Sequence, residues 1–151
     1  MQRYLIGLGN YAMGDDSIGL RVVEYVESNG MAHGFEPIEA GNNGMLVLSC
    51  FREDVGKLVI VDCARMGLNP GETEWLAQEE VQSRKITGGL TTHEGDILKL
   101  LALAGQLGLP IPALRILGIE PESVTMGMEL SATLARRLPE YAELAAREAF
   151  A

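Results

Sequence analysis

The sequence predicts an α/β fold, a three-layer α/β/α sandwich, and three observations carry that expectation. Apolar runs at positions 4–8, 57–63 and 114–119 read as strands, and the second contains Leu58-Val59-Ile60-Val61, the composition of a strand buried on both faces of a sheet. Between the runs lie stretches whose apolar residues recur every three or four positions, the spacing of a helix with one buried face. Glycine, asparagine and proline punctuate the changeovers.

Taken in order, the first strand covers positions 4–8 and stops in the glycine turn Gly7-Leu8-Gly9. Ser17 is placed to cap the helix that follows, whose apolar face is Ile18, Val22 and Val26, and Asn29-Gly30 ends it. A second strand is expected at 35–39, a loop at Gly41-Asn42-Asn43-Gly44 and a short apolar helix at 45–51. The strand at 57–63 comes next, then the turn Leu68-Asn69-Pro70-Gly71 and a fourth strand at 73–76 that carries Trp75, the only tryptophan. Gly88-Gly89 opens a loop to Thr91-Thr92-His93 that the glycines could let move, and a helix follows at 96–107, closed by Gly108. The last strand is 114–119, and a helix at 130–150 contains Pro139, a kink or a break.

Right-handed crossovers put the carboxyl ends of parallel strands on one edge. If the order begins 2-1-3, strands one and three are neighbours and the chain leaves them in diverging directions, which opens a ligand crevice. Asp16 follows strand one and Asp62 ends strand three, so topology alone brings two carboxylates together. The loop bearing His93 opens on the same edge. Two carboxylates and an imidazole suit a divalent transition metal. They could equally manage protons and a water in a hydrolytic site, which points to a metal-linked hydrolase.

The 151 residues make one domain, 1–151, and at 47% hydrophobic residues it can bury a core without staples. A net charge of −9 argues against a nucleic-acid binder, since no basic footprint exists to displace counterions, and against adhesion to an anionic membrane surface. No signal peptide and no membrane-length apolar stretch is visible, and two cysteines, Cys50 and Cys63, make no disulfide framework. The expected location is the cytoplasm.

Gly7-Leu8-Gly9 after a strand resembles a dinucleotide turn but lacks the third glycine, since position 12 is alanine. Asp15 and Asp16 also stand where a pyrophosphate would need bare N–H groups, and would repel it. The glycines more naturally serve a tight turn, bridged by Asn10. An acidic residue at a helix start is favoured by the dipole at about 0.3–1 kcal/mol, which accounts for one of the pair better than for two. Asp62 directly follows four apolar residues and is costly to bury without a partner. His33 reads as a loop residue, and Glu120-Pro121-Glu122-Ser123 as either a turn or the rim of the crevice.

Together these patches resemble the hydrogenase maturation endopeptidases. The resemblance rests on Gly7-Leu8-Gly9-Asn10, Asp15-Asp16 and Gly19, the strand ending in Asp62, Thr92-His93, and the stretch Gly118-Ile119-Glu120-Pro121-Glu122-Ser123. It implies a phosphorylase/hydrolase-like α/β/α sandwich with a mostly parallel five-stranded sheet of order 2-1-3-5-4, strand four antiparallel. It implies an endopeptidase that removes the C-terminal extension of a nickel-iron hydrogenase large-subunit precursor after nickel insertion. Asp16, Asp62 and His93 match the family's metal-binding positions, and the nickel they meet belongs to the substrate. No organic cofactor is implied, and the encounter is expected to be one-to-one with a monomer. One departure stands out: Glu39-Ala40-Gly41-Asn42 keeps the glycine but replaces the family's hydroxyl residue by Asn42, which bears on the choice of hydrogenase. Three alternatives remain open: a catalytic metal of the protein's own, an aspartic-protease-like acid pair sharing a proton, and a nickel chaperone that docks on the immature subunit without cutting it. A nucleotide-binding flavodoxin-like domain is disfavoured by the acid pair.

Overall fold

A computed structural model describes residues 1–80, 91–92 and 97–151. Its strands are β1 (Gln2–Leu8), β2 (Glu36–Gly41), β3 (Val55–Arg65), β4 (Thr73–Ala77), β5 (Thr91–Thr92) and β6 (Ala113–Ile119). Its helices are α1 (Ile18–Ser28), α2 (Gly44–Leu48), α3 (Ile97–Gln106) and α4 (Ala132–Phe150), with a 3-10 turn at Gly14–Ser17 ahead of α1. The main sheet runs β2-β1-β3-β6-β4. β1 lies parallel to β2 and β3, β3 parallel to β6, and β4 antiparallel to β6. With β6 counted as the fifth long strand, this is the expected 2-1-3-5-4 order with strand four reversed. The two-residue β5, which the sequence pattern presented as loop, pairs antiparallel with the overhanging end of β3.

Side-chain alternation along the central strands separates two cores. Tyr4, Ile6, Leu58, Ile60, Leu114 and Ile116 face α2 and α3. Leu5, Val59, Val61, Leu117 and Ile119 face α1 and α4. Ile18, Val22 and Val26 are each fully buried, as their spacing predicted. β-Branched residues are poor helix formers by a few tenths of a kcal/mol each. Burial contributes about 1.5–3 kcal/mol per side chain, so packing on the sheet overrides propensity.

Three local features differ from the sequence reading. Ser17 occupies the N-cap position of α1, but its hydroxyl donates back to Gly14 O at 2.7 Å, so it closes the 3-10 turn instead of capping the helix. α2 is one turn long, because Asn43 caps it by accepting from Leu46 N–H and the chain leaves the helix at Ser49. Pro139 neither breaks nor ends α4. It lies on the exposed face, where the carbonyl it leaves without a helical donor can be hydrated, while Leu134, Tyr141, Ala142, Ala145 and Ala149 hold the opposite face on the sheet.

Candidate functional site

Close packing at the carboxyl edge begins with glycines. A Cβ on Gly19 would lie 2.3 Å from both Leu8 O and Val61 O, and one on Gly7 would lie 2.3 Å from Gly19 O. The start of α1 therefore rests directly on the backbones of β1 and β3, which only residues without side chains permit. Gly9, at φ 141°, takes the chain off β1, and a Cβ there would meet Asp16 O at 2.2 Å. Asn10 secures the turn: its N–H donates to Asp16 O at 3.3 Å, and its side-chain Oδ1 accepts from Ala12 N–H at 2.9 Å. The glycine motif thus pulls the 3-10 turn down onto the strand ends. It is a packing device, not a phosphate cradle.

Asp15 and Asp16 part company in this turn. Asp15 is fully buried. Its Oδ2 accepts from the N–H groups of Glu122 and Ser123 at 2.9 and 3.0 Å, and its Oδ1 accepts from Ser131 N–H at 2.7 Å. Ser131 is the N-cap of α4, with its own hydroxyl accepting from Leu134 N–H. One carboxylate therefore ties both ends of the loop that leaves β6. Asp16 is half-buried and lies beside Gly9 and Asn10 at the edge.

Asp62 is 3% exposed and sits within β3. Its β6 neighbour in register is Gly118, while on the other side the β1 ladder ends one residue earlier, at Gly7 and Val61. By alternation it shares the face of Ile60 and Ala64, toward α2 and α3, whereas Asp16 reaches the edge from the turn before α1. The two approach the strand ends from different faces. Their charges converge on Cys63: burial first, then Asp62, then Asp16 push its thiol far above the ordinary range. The thiol is 6% exposed, and these surroundings disfavour the thiolate.

His93 lies outside the described residues, as do Gly88-Gly89. The residue before it, Thr92, pairs with Ala64, and Thr91 with Arg65, so β5 travels along β3 in the direction of Asp62. Among the described residues no three His, Cys, Asp or Glu side chains are grouped to hold a metal ion.

Glu120, read from sequence as turn or rim, is a buried structural acceptor: its Oε1 takes Met66 N–H at 2.7 Å and Leu68 N–H at 3.2 Å. His33 is exposed and lines an open apolar groove of about 540 Å³ with Met31, Phe35 and Phe150. Phe35 leads into β2, so this groove lies toward the amino ends of the strands, away from Asp16 and Asp62. Two rim residues gave no sequence signal. Tyr11 donates its hydroxyl to Glu39 of β2. Arg21 lies 4.7 Å over the Tyr11 ring and donates to Met128 O at 2.8 Å. The Tyr11 phenol is pushed above the usual tyrosine range, by burial first and then by the Glu39 carboxylate.

The profile of the hydrogenase maturation protease family (HycI) matches residues 20–148. A hydrogenase expression/formation protein, HupD of Thiocapsa roseopersicina, is 27% identical over 144 residues, which are 93% of this chain and 64% of that protein. The hydrogenase 2 maturation protease of Escherichia coli is 25% identical over 138 residues, 89% of this chain and 82% of that protein. The solved structure of the NiFe hydrogenase maturation protease HybD from Thermococcus kodakarensis aligns with a TM-score of 0.77 at 26% identity, over 99% of both chains. The chain thus spans just under two thirds of the length of HupD, and nearly all of the solved HybD chain.

Proposed function

The chain belongs to the hydrogenase maturation protease family, and from that premise we propose that it is an endopeptidase acting on a nickel-iron hydrogenase large-subunit precursor. It removes the C-terminal extension of that precursor once nickel is in place. Members of this family are peptidases, and the structural match extends over the whole chain.

The observation that supports the reading is where the chain carries the two aspartates relative to β1 and β3. Asp62 lies in β3, Asp16 lies in the 3-10 turn that follows the neighbouring strand β1, and β5 runs along β3 toward Asp62 immediately before His93. Oxygen and imidazole donors are a fitting set for the nickel displayed by the immature subunit. In this proposal Asp16, Asp62 and His93 recognise that metal as part of the substrate, and docking on it sets the scissile peptide beside the carboxylates. One carboxylate then takes a proton from the water that attacks the peptide carbonyl and delivers it to the amide nitrogen, which leaves as the amine of the released extension when the C–N bond breaks. The checkpoint is physical: without nickel the precursor offers the three residues nothing to hold, and the peptide is not positioned. The encounter is one-to-one and cytoplasmic. Among the described residues no helix is long and apolar enough to cross a membrane.

The test is to incubate the protein with its cognate precursor, nickel-loaded or nickel-free, and weigh the products by mass spectrometry. A large subunit shortened only when nickel is present is the expected result. A stable complex of two uncut chains would make the protein a docking chaperone instead.

A further inference from the structure

The loop from Glu122 to Ser131 is held more tightly than a connection between β6 and α4 requires. Both ends are bonded to the Asp15 carboxylate, at Glu122, Ser123 and Ser131. Its tip is bonded again. Gly127 N–H donates to Ala12 O at 2.8 Å, Gly14 N–H donates to Gly127 O at 2.9 Å, and Arg21 Nη2 donates to Met128 O at 2.8 Å. This is a compact loop with joined ends, a class often found carrying function.

On that pinned tip stand two large apolar side chains, Met126 at 89% and Met128 at 60% exposed. A single exposed hydrophobic residue needs no explanation. Two that flank one glycine bonded to the turn carrying Asp16 are a different matter. Gly14, the residue that binds the tip, is only two positions from Asp16. Methionine is unbranched and polarizable, so it adapts to varied apolar partners. A rigid backbone beneath it lowers the ordering cost of binding.

We propose that Met126 and Met128 are substrate-contacting residues, an apolar lip on which a nonpolar segment of the precursor lies while the neighbouring bond is cut. This rests on the endopeptidase reading. The occupant is a polypeptide because that reading supplies one, and it is nonpolar there because the surface offered is methionine. The lip sets which stretch of the precursor enters, and takes no part in the bond cleavage itself.

The test compares the wild type with the double variant Met126→Ser/Met128→Ser on the nickel-loaded cognate precursor, following cleavage rates and, separately, binding of the precursor. The double variant is expected to raise KM at least about tenfold with kcat within about twofold, the signature of lost binding common to ground and transition states. Met126→Leu/Met128→Leu should restore most of the loss. Leu107→Ser, at a site 60% exposed at the end of α3, should change nothing. An unchanged KM in the serine variant, with normal wild-type cleavage, would overturn the lip and leave the protease reading intact. Weakened binding of a precursor that even the wild type fails to cut would retain the lip and overturn the protease reading. Neither binding nor cleavage by the wild type would overturn both.

Discussion

Asp15 and Asp62 are both buried aspartates at the carboxyl edge of the sheet, at 0% and 3% exposure, and they stand in opposite kinds of region. Asp15 belongs to a turn and gathers backbone: three N–H groups from a loop more than a hundred residues away point at its oxygens. Glu120 is of the same kind, organising Met66 and Leu68. Asp62 belongs to a strand, opposite a glycine, where the β1 ladder has already stopped and the β6 ladder has not. Burial by itself therefore does not mark a chemical residue. A carboxylate that accounts for its burial by tying loops is doing structural work, whereas one placed at the divergence of two strands stands where ligands bind in such folds.

The strongest way to break this comparison is to neutralise the edge residues. Asp62→Asn and Asp16→Asn should each lower cleavage of the nickel-loaded precursor on the order of 10²–10⁴-fold. Urea unfolding should show the fold retained in both. Full cleavage by either variant would remove that residue from the site.

A second measurement attacks the other side. Asp15→Ala strips a charged acceptor from three buried N–H groups, so it should cost on the order of 4 kcal/mol in urea unfolding. Asp15→Asn keeps one acceptor oxygen and should cost less. If Asp15→Asn abolished cleavage at undiminished stability, the division between the two regions would fail.

The smallest expected effect sharpens the boundary of the Asp15 turn, at Tyr11. Its phenol is raised above the ordinary value of 10.0, so the neutral form is favoured in the folded state. The stabilisation linked to it is fully present below pH 10 and is lost as pH rises beyond that. The stability advantage of the wild type over Tyr11→Phe should therefore be constant through neutral pH and shrink above pH 10. An advantage that grew with alkalinity would contradict the Glu39 contact.

Much of the architecture was legible because its signals are local. Leu58-Val59-Ile60-Val61 states a doubly buried strand, and Ile18, Val22 and Val26 state a helix face, without knowledge of their partners. Of the kink or break that Pro139 offered, only the break is excluded, because proline's effect depends on which face it occupies, and that is set by how α4 lies on the sheet. Of the candidate site, the positions of Asp16 after β1 and of Asp62 near the end of β3 were legible, because both follow from where the strands stop. His93 lies outside the described residues, so the third member stays with the sequence.

By itself, then, the sequence determined the alternation of strands and helices, because periodicity and turn chemistry act over a few residues. Only the tertiary structure decided that, of two adjacent aspartates, Asp15 is fully buried as a staple while Asp16 is half-buried. It also decided that Glu120 is a tie and that Met126 and Met128 ride on a pinned loop. Those outcomes depend on which N–H groups arrive from far along the chain, and no local pattern encodes the arrival of Ser131 at Asp15 across 116 positions.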